Sequence, residues 1–373
     1  MNQLICSKCQ ATYRLNEPIW RCRQCSSILD LQFTPVIDMV KIKGRRTTLW
    51  RYREAIPIEY DENIVTFDEG FTSLLEVGFG GRPVWIKQDQ LFPTGSFKDR
   101  GATVLISKMK ELGIQHCVED SSGNAGCSVA AYCAQAGIGC DIYVPEDTAP
   151  AKLAQIQLYD AGLKRIQGSR EDTAAAVLLA AENQYYASHS WNPFFFQGTK
   201  TFAYEVCEQL GWQSPDTVIL PVGNGALLLG VQIGFAELHL AGIIRKEPRL
   251  VAVQSENCAP LAQAWSQNLP EIPSIQKKYT LAEGIAIATP IRGNQIVEAV
   301  RRSGGEFITV SDGDIKASLV RLGKQGHYIE PTSAATTAGV EKYLAAHPRE
   351  ERVVSVFTGS GLKATEKILS LWH

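Results

Sequence analysis

The residues with the clearest chemical potential are one lysine and four cysteines. Lys98 stands in PVWIKQDQLFPTGSFKDRG, residues 83 to 101. The apolar run Pro83 to Ile86 reads as a buried strand, and Pro93-Thr94-Gly95-Ser96 reads as a turn that ends it and starts a helix. Lys98 then falls in the first helical turn, the positive end of the macrodipole, where a cation is disfavoured. A lysine placed there, behind a Gly/Ser turn and beside Phe97, loses its proton more easily, as Schiff-base chemistry with a carbonyl requires. The same spacing also suits a surface lysine on an amphipathic helix.

Cys6, Cys9, Cys22 and Cys25 form two CxxC pairs separated by twelve residues. Such pairs on short turns can set four thiolates around one zinc ion, and a full thiolate shell makes the site structural, not catalytic. A ribbon that no longer holds metal is the alternative. The other cysteines, Cys117, Cys127, Cys133, Cys140, Cys207 and Cys258, lie in apolar segments and read as small core residues.

The elements that must position these groups follow an α/β pattern. A helix is expected over Ser96 to Leu112, then a strand at His116 to Glu119, a turn, and an Ala-rich helix to about Ala136. Strands alternating with helices of this length imply a parallel sheet covered on both faces, with ligands beyond the strands' carboxyl ends. Two turns have that setting. Ser121-Ser122-Gly123-Asn124-Ala125-Gly126 offers small residues and helix-start N–H groups to an anion such as a carboxylate, or is a tightly packed cap. Pro221-Val222-Gly223-Asn224-Gly225-Ala226 follows the β-branched run Thr217 to Leu220 and suits a phosphate, although it lacks the full P-loop and dinucleotide patterns. A third turn, Thr358-Gly359-Ser360-Gly361, ends a strand at Arg352 to Phe357 and presents hydroxyls that could meet a ring nitrogen or simply cap the next helix.

The 373-residue chain is 45% apolar and 20% charged, as befits a folded globular protein, and is long enough for two domains and a small module. A formal charge of −2 argues against general nucleic-acid binding, and the basic patch Lys41 to Arg46 reads as a solvated face. The N-terminus MNQLICSKCQ carries no signal-peptide pattern, and no apolar run reaches membrane length. A cytoplasmic protein without a membrane or nucleic-acid partner is expected.

A helix-start lysine, an SSGNAG turn, a glycine-rich loop and a TGSG turn together resemble the fold type II family of pyridoxal-phosphate enzymes (tryptophan synthase β-like), most closely its threonine synthase branch. The resemblance is carried by PTGSFKDRG at residues 93 to 101 and extends from about Glu69 to the C-terminus. It implies a zinc ribbon at 1–35, a large cofactor-binding α/β domain at 36–112 with 206–373, and a small α/β domain at 113–205. A homodimer is common in that family. Lys98 would carry the cofactor and shuttle protons, and Asn124 would bond its phenolic oxygen. Val222, Gly223, Asn224, Gly225 and Ala226 would hold the cofactor phosphate. Thr358, or Ser360 in its place, would meet the pyridine nitrogen. Ser122, Gly123, Ala125 and Gly126 would take the substrate carboxylate, and Lys87 and Arg100 are candidates for a substrate phosphate.

The implied reaction converts O-phosphohomoserine and water to threonine and phosphate. Ala282-Glu283-Gly284-Ile285-Ala286 is equally similar to the serine/threonine ammonia-lyases. A β-eliminating lyase or a β-replacement enzyme of the cysteate synthase type therefore stays open, as does a binding protein that keeps only the fold. His189 reads as a structural histidine or a residue lining the site. Glu330, before Pro331, is expected to influence turnover more than folding.

Overall fold

The computed structural model describes residues 2–148, 150–168 and 170–371. The chain divides into two compact units, Met1–Gly70 with Lys98–Thr199 and Phe71–Phe97 with Lys200–His373.

The first unit begins with a three-stranded antiparallel sheet, ordered Thr12–Tyr13, Gln3–Cys6, Leu29–Gln32, whose Leu4 and Leu29 are fully buried. Trp20 anchors this ribbon. Its Nε1 donates to Ala181 O at 3.1 Å, and its ring meets Tyr186 and Trp191 edge-on at 5.1 and 5.4 Å. The remainder of the unit is built on a four-stranded parallel sheet, ordered Gly162–Ile166, Gly139–Pro145, His116–Glu119, Tyr185–Tyr186. The helices Lys98–Glu111, Asn124–Ala136 and Pro193–Thr199 pack together. The first and last of these cross closely because of two glycines. A Cβ on Gly101 would lie 2.2 Å from Phe195, and one on Gly198 would lie 1.8 Å from Arg100 O.

The second unit holds a six-stranded sheet, ordered Glu306–Val310, Arg249–Ser255, Thr217–Pro221, Val353–Val356, Arg82–Lys87, Leu74–Phe79. It is parallel except for the antiparallel edge strand Leu74–Phe79. Thr217–Pro221 is buried throughout, as expected of a strand covered on both faces. Val84, Ile86, Ile219, Val251, Val253 and Ala334 belong to the core beneath it.

The expected strand Thr217 to Leu220 and the expected helix ending at Ala136 lie where the sequence placed them, within one residue. The domain boundaries differ. Residues 36–70 and 98–112, assigned to the large domain, belong to the unit with the four-stranded sheet. Helix Lys98–Glu111 buries the run from Asp99 to Met109, so it must be enclosed by other helices, and its own sequence does not say whose. The ribbon belongs to the same unit and is not a separate body, because Trp20 inserts into it. The basic patch pairs with local carboxylates: Lys41 and Arg45 with Glu54, and Arg46 with Asp68. Among the described residues no helix is long and apolar enough to cross a membrane.

Candidate active site

In the first unit Lys98 is the first residue of its helix and is half-buried. Its ammonium lies 5.6 Å from the centroid of the Phe195 ring, which the Gly101–Gly198 crossing brings close to the helix. The next residue, Asp99, is fully buried and accepts from Ser128 Oγ at 2.6 Å, which ties the lysine helix to the helix that starts at Asn124.

The Ser121–Asn124 turn stands at the carboxyl end of strand His116–Glu119. Gly123 is the N-cap of the helix that follows and supplies no side-chain cap, so that helix start presents N–H groups. Ser121 Oγ accepts from Gly123 N at 3.3 Å. A Cβ on Gly126 would lie 1.8 Å from Ser121 O, so the turn closes on glycine for lack of space. Ser122 and Asn124 are half-exposed, Gly123 is exposed, and Ala125 and Gly126 are buried.

Sequence reasoning missed what lies behind this turn. Glu119 Oε1 and His189 Nδ1 are 2.8 Å apart, and both groups are buried. Burial first, and then the neighbouring Asp120, push the Glu119 carboxyl well up. Burial, with Lys98 and Arg170 nearby, pushes the His189 imidazole well down. Burial disfavours the charged form of each. The other oxygen, Glu119 Oε2, is buried with no partner. Asp120 accepts from the Tyr186 hydroxyl at 2.7 Å, and its Oδ2 lies 3.6 Å from the Arg170 guanidinium. An acidic pair ending an otherwise apolar strand, Cys117-Val118-Glu119-Asp120, was the available signal.

In the second unit the glycine loop leaves the central strand and enters the helix Ala226–Leu240. Gly225 is its N-cap at φ +75 with no side-chain cap, and a Cβ there would meet Ile296 at 2.3 Å. A Cβ on Gly223 would lie 3.0 Å from Ile285 Cα. The loop thus has glycine where a side chain would fill the space, above helix-start N–H groups, and this fits a phosphate. Val222 is a correction. Its N–H donates to Val253 O at 2.9 Å and its carbonyl accepts from Gln254, so its backbone continues the sheet. Gly223, Asn224, Gly225 and Ala226 remain as the loop proper.

Thr358 lies two residues beyond strand Val353–Val356 and is fully buried. Its hydroxyl donates to Glu330 Oε1 at 2.7 Å and meets Ser333 Oγ at 2.9 Å. Ser360 caps a short helix, its Oγ accepting from Leu362 N. The Pro93–Ser96 turn is laced to this region: Ser360 N donates to Gly95 O, and Phe97 N to Thr358 O, both at 2.9 Å. Ser96 Oγ is fully buried with no partner, an unmet hydroxyl of the kind a bound group satisfies.

The proposed substrate-phosphate residues need correction. Lys87 is fully enclosed. Its ammonium contacts Glu205 at 2.8 Å, Thr72 O at 2.5 Å and Gln209 at 2.7 Å, so its charge is matched inside the second unit. Arg100 is likewise without accessible surface, within the first unit. Neither cation presents surface to solvent.

Residues 65–359 match the family described as pyridoxal-phosphate dependent enzyme. This chain belongs to that family. The family's cofactor is pyridoxal phosphate, and the fold is type II. Threonine synthase of Methanocaldococcus jannaschii is 36% identical, covering 96% of this chain and 92% of its own length. Threonine synthase of Methanosarcina acetivorans is 33% identical over 100% of this chain and 94% of its own. Among solved structures, threonine deaminase isoform 2 of Solanum lycopersicum superposes with a TM-score of 0.70 at 18% identity, covering 95% of each chain, and shows the fold alone. Maize serine racemase does the same with a TM-score of 0.67 at 19% identity, over 80% of this chain and 91% of its own.

The Cys6, Cys9, Cys22 and Cys25 sulfurs all lie within 4.8 Å of one another, with Cys6–Cys25 at 3.4 Å and Cys9–Cys22 at 3.5 Å. Backbone N–H groups of Lys8 and Cys9 point at Cys6 Sγ, and that of Gln24 at Cys22 Sγ. Burial opposes the Cys22 thiolate, yet hydrogen bonds led by the Tyr13 hydroxyl bring its pKa down to about 6. This donor set suits a tetrahedral thiophilic cation.

Proposed function

We propose that this enzyme is a threonine synthase, taking O-phosphohomoserine and water to threonine and phosphate. The observation that carries the reading is near-full-length similarity to two threonine synthases, ribbon included, in a chain that keeps a lysine at the helix start. Pyridoxal phosphate, when bound, supplies an electron sink for charge that develops on the substrate's α-carbon.

The chain's own residues do the rest. Lys98 would hold the cofactor, and its amine would take and return protons at the substrate carbons. The Ser122–Gly126 turn orients the substrate carboxylate through helix-start N–H groups. Asn124 bonds the cofactor's phenolic oxygen, and Gly223 to Ala226 hold its phosphate. Thr358 meets the ring nitrogen, with Glu330 behind it as hydrogen-bond partner. Cys6, Cys9, Cys22 and Cys25 would hold one structural zinc, a site in keeping with a reducing compartment.

One observation favours a second reading. With Lys87 occupied by Glu205 and Arg100 enclosed, neither expected cation is open to a substrate phosphate. A β-eliminating ammonia-lyase needs no such site. The test is phosphate release from O-phosphohomoserine, run beside keto-acid formation from serine and threonine. Phosphate and threonine in equal amounts support the synthase. Keto acid without phosphate moves the function to the lyase.

A further inference from the structure

Three further cysteines meet inside the first unit. Cys117 stands on strand His116–Glu119, directly opposite Cys140 on the parallel strand Gly139–Pro145, and Cys133 reaches them from helix Asn124–Ala136. Their sulfurs all lie within 4.8 Å of one another, and Cys117–Cys133 is 3.6 Å. They are 0%, 1% and 7% exposed for Cys117, Cys133 and Cys140. The three are separated along the chain, and each read singly is a core residue.

We propose that Cys117, Cys133 and Cys140 form a binding site for a trivalent thiophilic metalloid, arsenous acid being the representative ligand. Three sulfurs bonded to one pyramidal atom at about 2.3 Å, with angles of about 100°, sit about 3.5 Å apart, close to the 3.6 Å between Cys117 and Cys133. Charge decides the class of ligand. All three sulfurs are enclosed, so net charge placed among them would have no water to offset it. A monovalent or divalent ion on three thiolates would leave net negative charge in this enclosed cluster, at a high desolvation cost. Arsenous acid leaves none. Three As–O bonds break and three As–S bonds form, each thiol proton leaves with a hydroxide as water, and no atom changes oxidation state.

The three ligands also have a mechanical meaning. They join the strand that enters the Ser121–Asn124 turn, the helix that leaves it, and the neighbouring strand. Occupancy cross-links the elements on either side of that turn. This resists local unfolding of the small sheet.

The test uses the full chain loaded with cofactor and zinc, so that the ribbon cysteines are occupied, and incubated with arsenite. Native mass spectrometry is expected to show one arsenic per chain with loss of three protons. X-ray absorption is expected to show a three-sulfur shell, and the melting temperature is expected to rise. Cys133→Ala and, separately, Cys140→Ala should abolish the gain in mass, while Cys258→Ala should keep it. No bound arsenic after prolonged incubation overturns the proposal. So does binding that survives in both Cys133→Ala and Cys140→Ala, which would assign it to other thiols.

Discussion

Two turns in this molecule do the same geometric job by opposite means. Ser121–Asn124 and Gly223–Gly225 each follow a parallel strand and open a helix with no side-chain cap. The first is backed by titratable and polar groups: Glu119 with His189, and Asp120 with Tyr186 and Arg170. The second is walled by the Ile285 backbone and the apolar side chains of Ile287 and Ile296, and shaped by glycines. A loop made of backbone and hydrocarbon offers one fixed anion site whatever the pH. A turn that follows directly on buried acids can change with protonation and substrate. That difference suits a permanent cofactor phosphate at the one and a passing substrate carboxylate at the other.

Lys98→Ala should have the largest effect, because neither turn can replace the amine. Turnover should fall by at least about a thousandfold, and the visible absorption of lysine-bound cofactor should vanish; survival of that absorption would remove the central assignment. Gly225→Val should come next and break the fixed site alone. A β-branched residue at φ +75, 2.3 Å from Ile296, should abolish cofactor retention and cost at least about 2 kcal/mol of stability. Equilibrium dialysis checks the first, and urea unfolding of the cofactor-free protein the second. A variant that retains cofactor would show that the loop is not the phosphate site.

Glu330→Gln should lower turnover roughly tenfold to a hundredfold while leaving the melting temperature nearly unchanged, since the amide still accepts from Thr358. Full turnover with a lower melting point would make Glu330 purely structural.

The adjustable turn should show itself in pH dependence. Burial holds His189 neutral in the folded state, so below its ordinary value of 6.5 the unfolded chain gains a proton that the folded chain refuses. Stability is lost there as pH falls. Glu119 is raised, so its contribution is fully present below 4.5 and is lost as pH rises towards its folded value. Together they give a level region from about 4.5 to 6.5 and a decline on either side, by at most about 1.4 kcal/mol per pH unit. Glu119→Gln should remove the alkaline decline and keep the acid one. Melting curves across pH check this, and an unchanged alkaline limb would mean that Glu119 is ionised when folded. Tyr186→Phe should have the smallest effect, about 1 kcal/mol from the lost bond to Asp120. It should raise KM more than it lowers kcat, and an equal change in both would detach Asp120 from substrate positioning.

The sequence by itself determined the local chemistry. Lys98 at a helix start, glycines at two strand ends and paired CxxC motifs are short-range patterns, set by dihedral freedom and helix polarity within a few residues. Only the tertiary structure decided which groups meet. Lys87 and Lys98 look alike in sequence, yet Glu205, more than a hundred residues on, neutralises one of them and leaves the other half-buried beside Phe195. Glu119 finds His189, Cys117 finds Cys133 and Cys140, and Trp20 fixes the ribbon, each across separations that periodicity cannot report. Periodicity records that a side chain is buried. Which side chain it is buried against, and therefore whether its charge, proton or sulfur remains available, depends on how the chain folds back on itself.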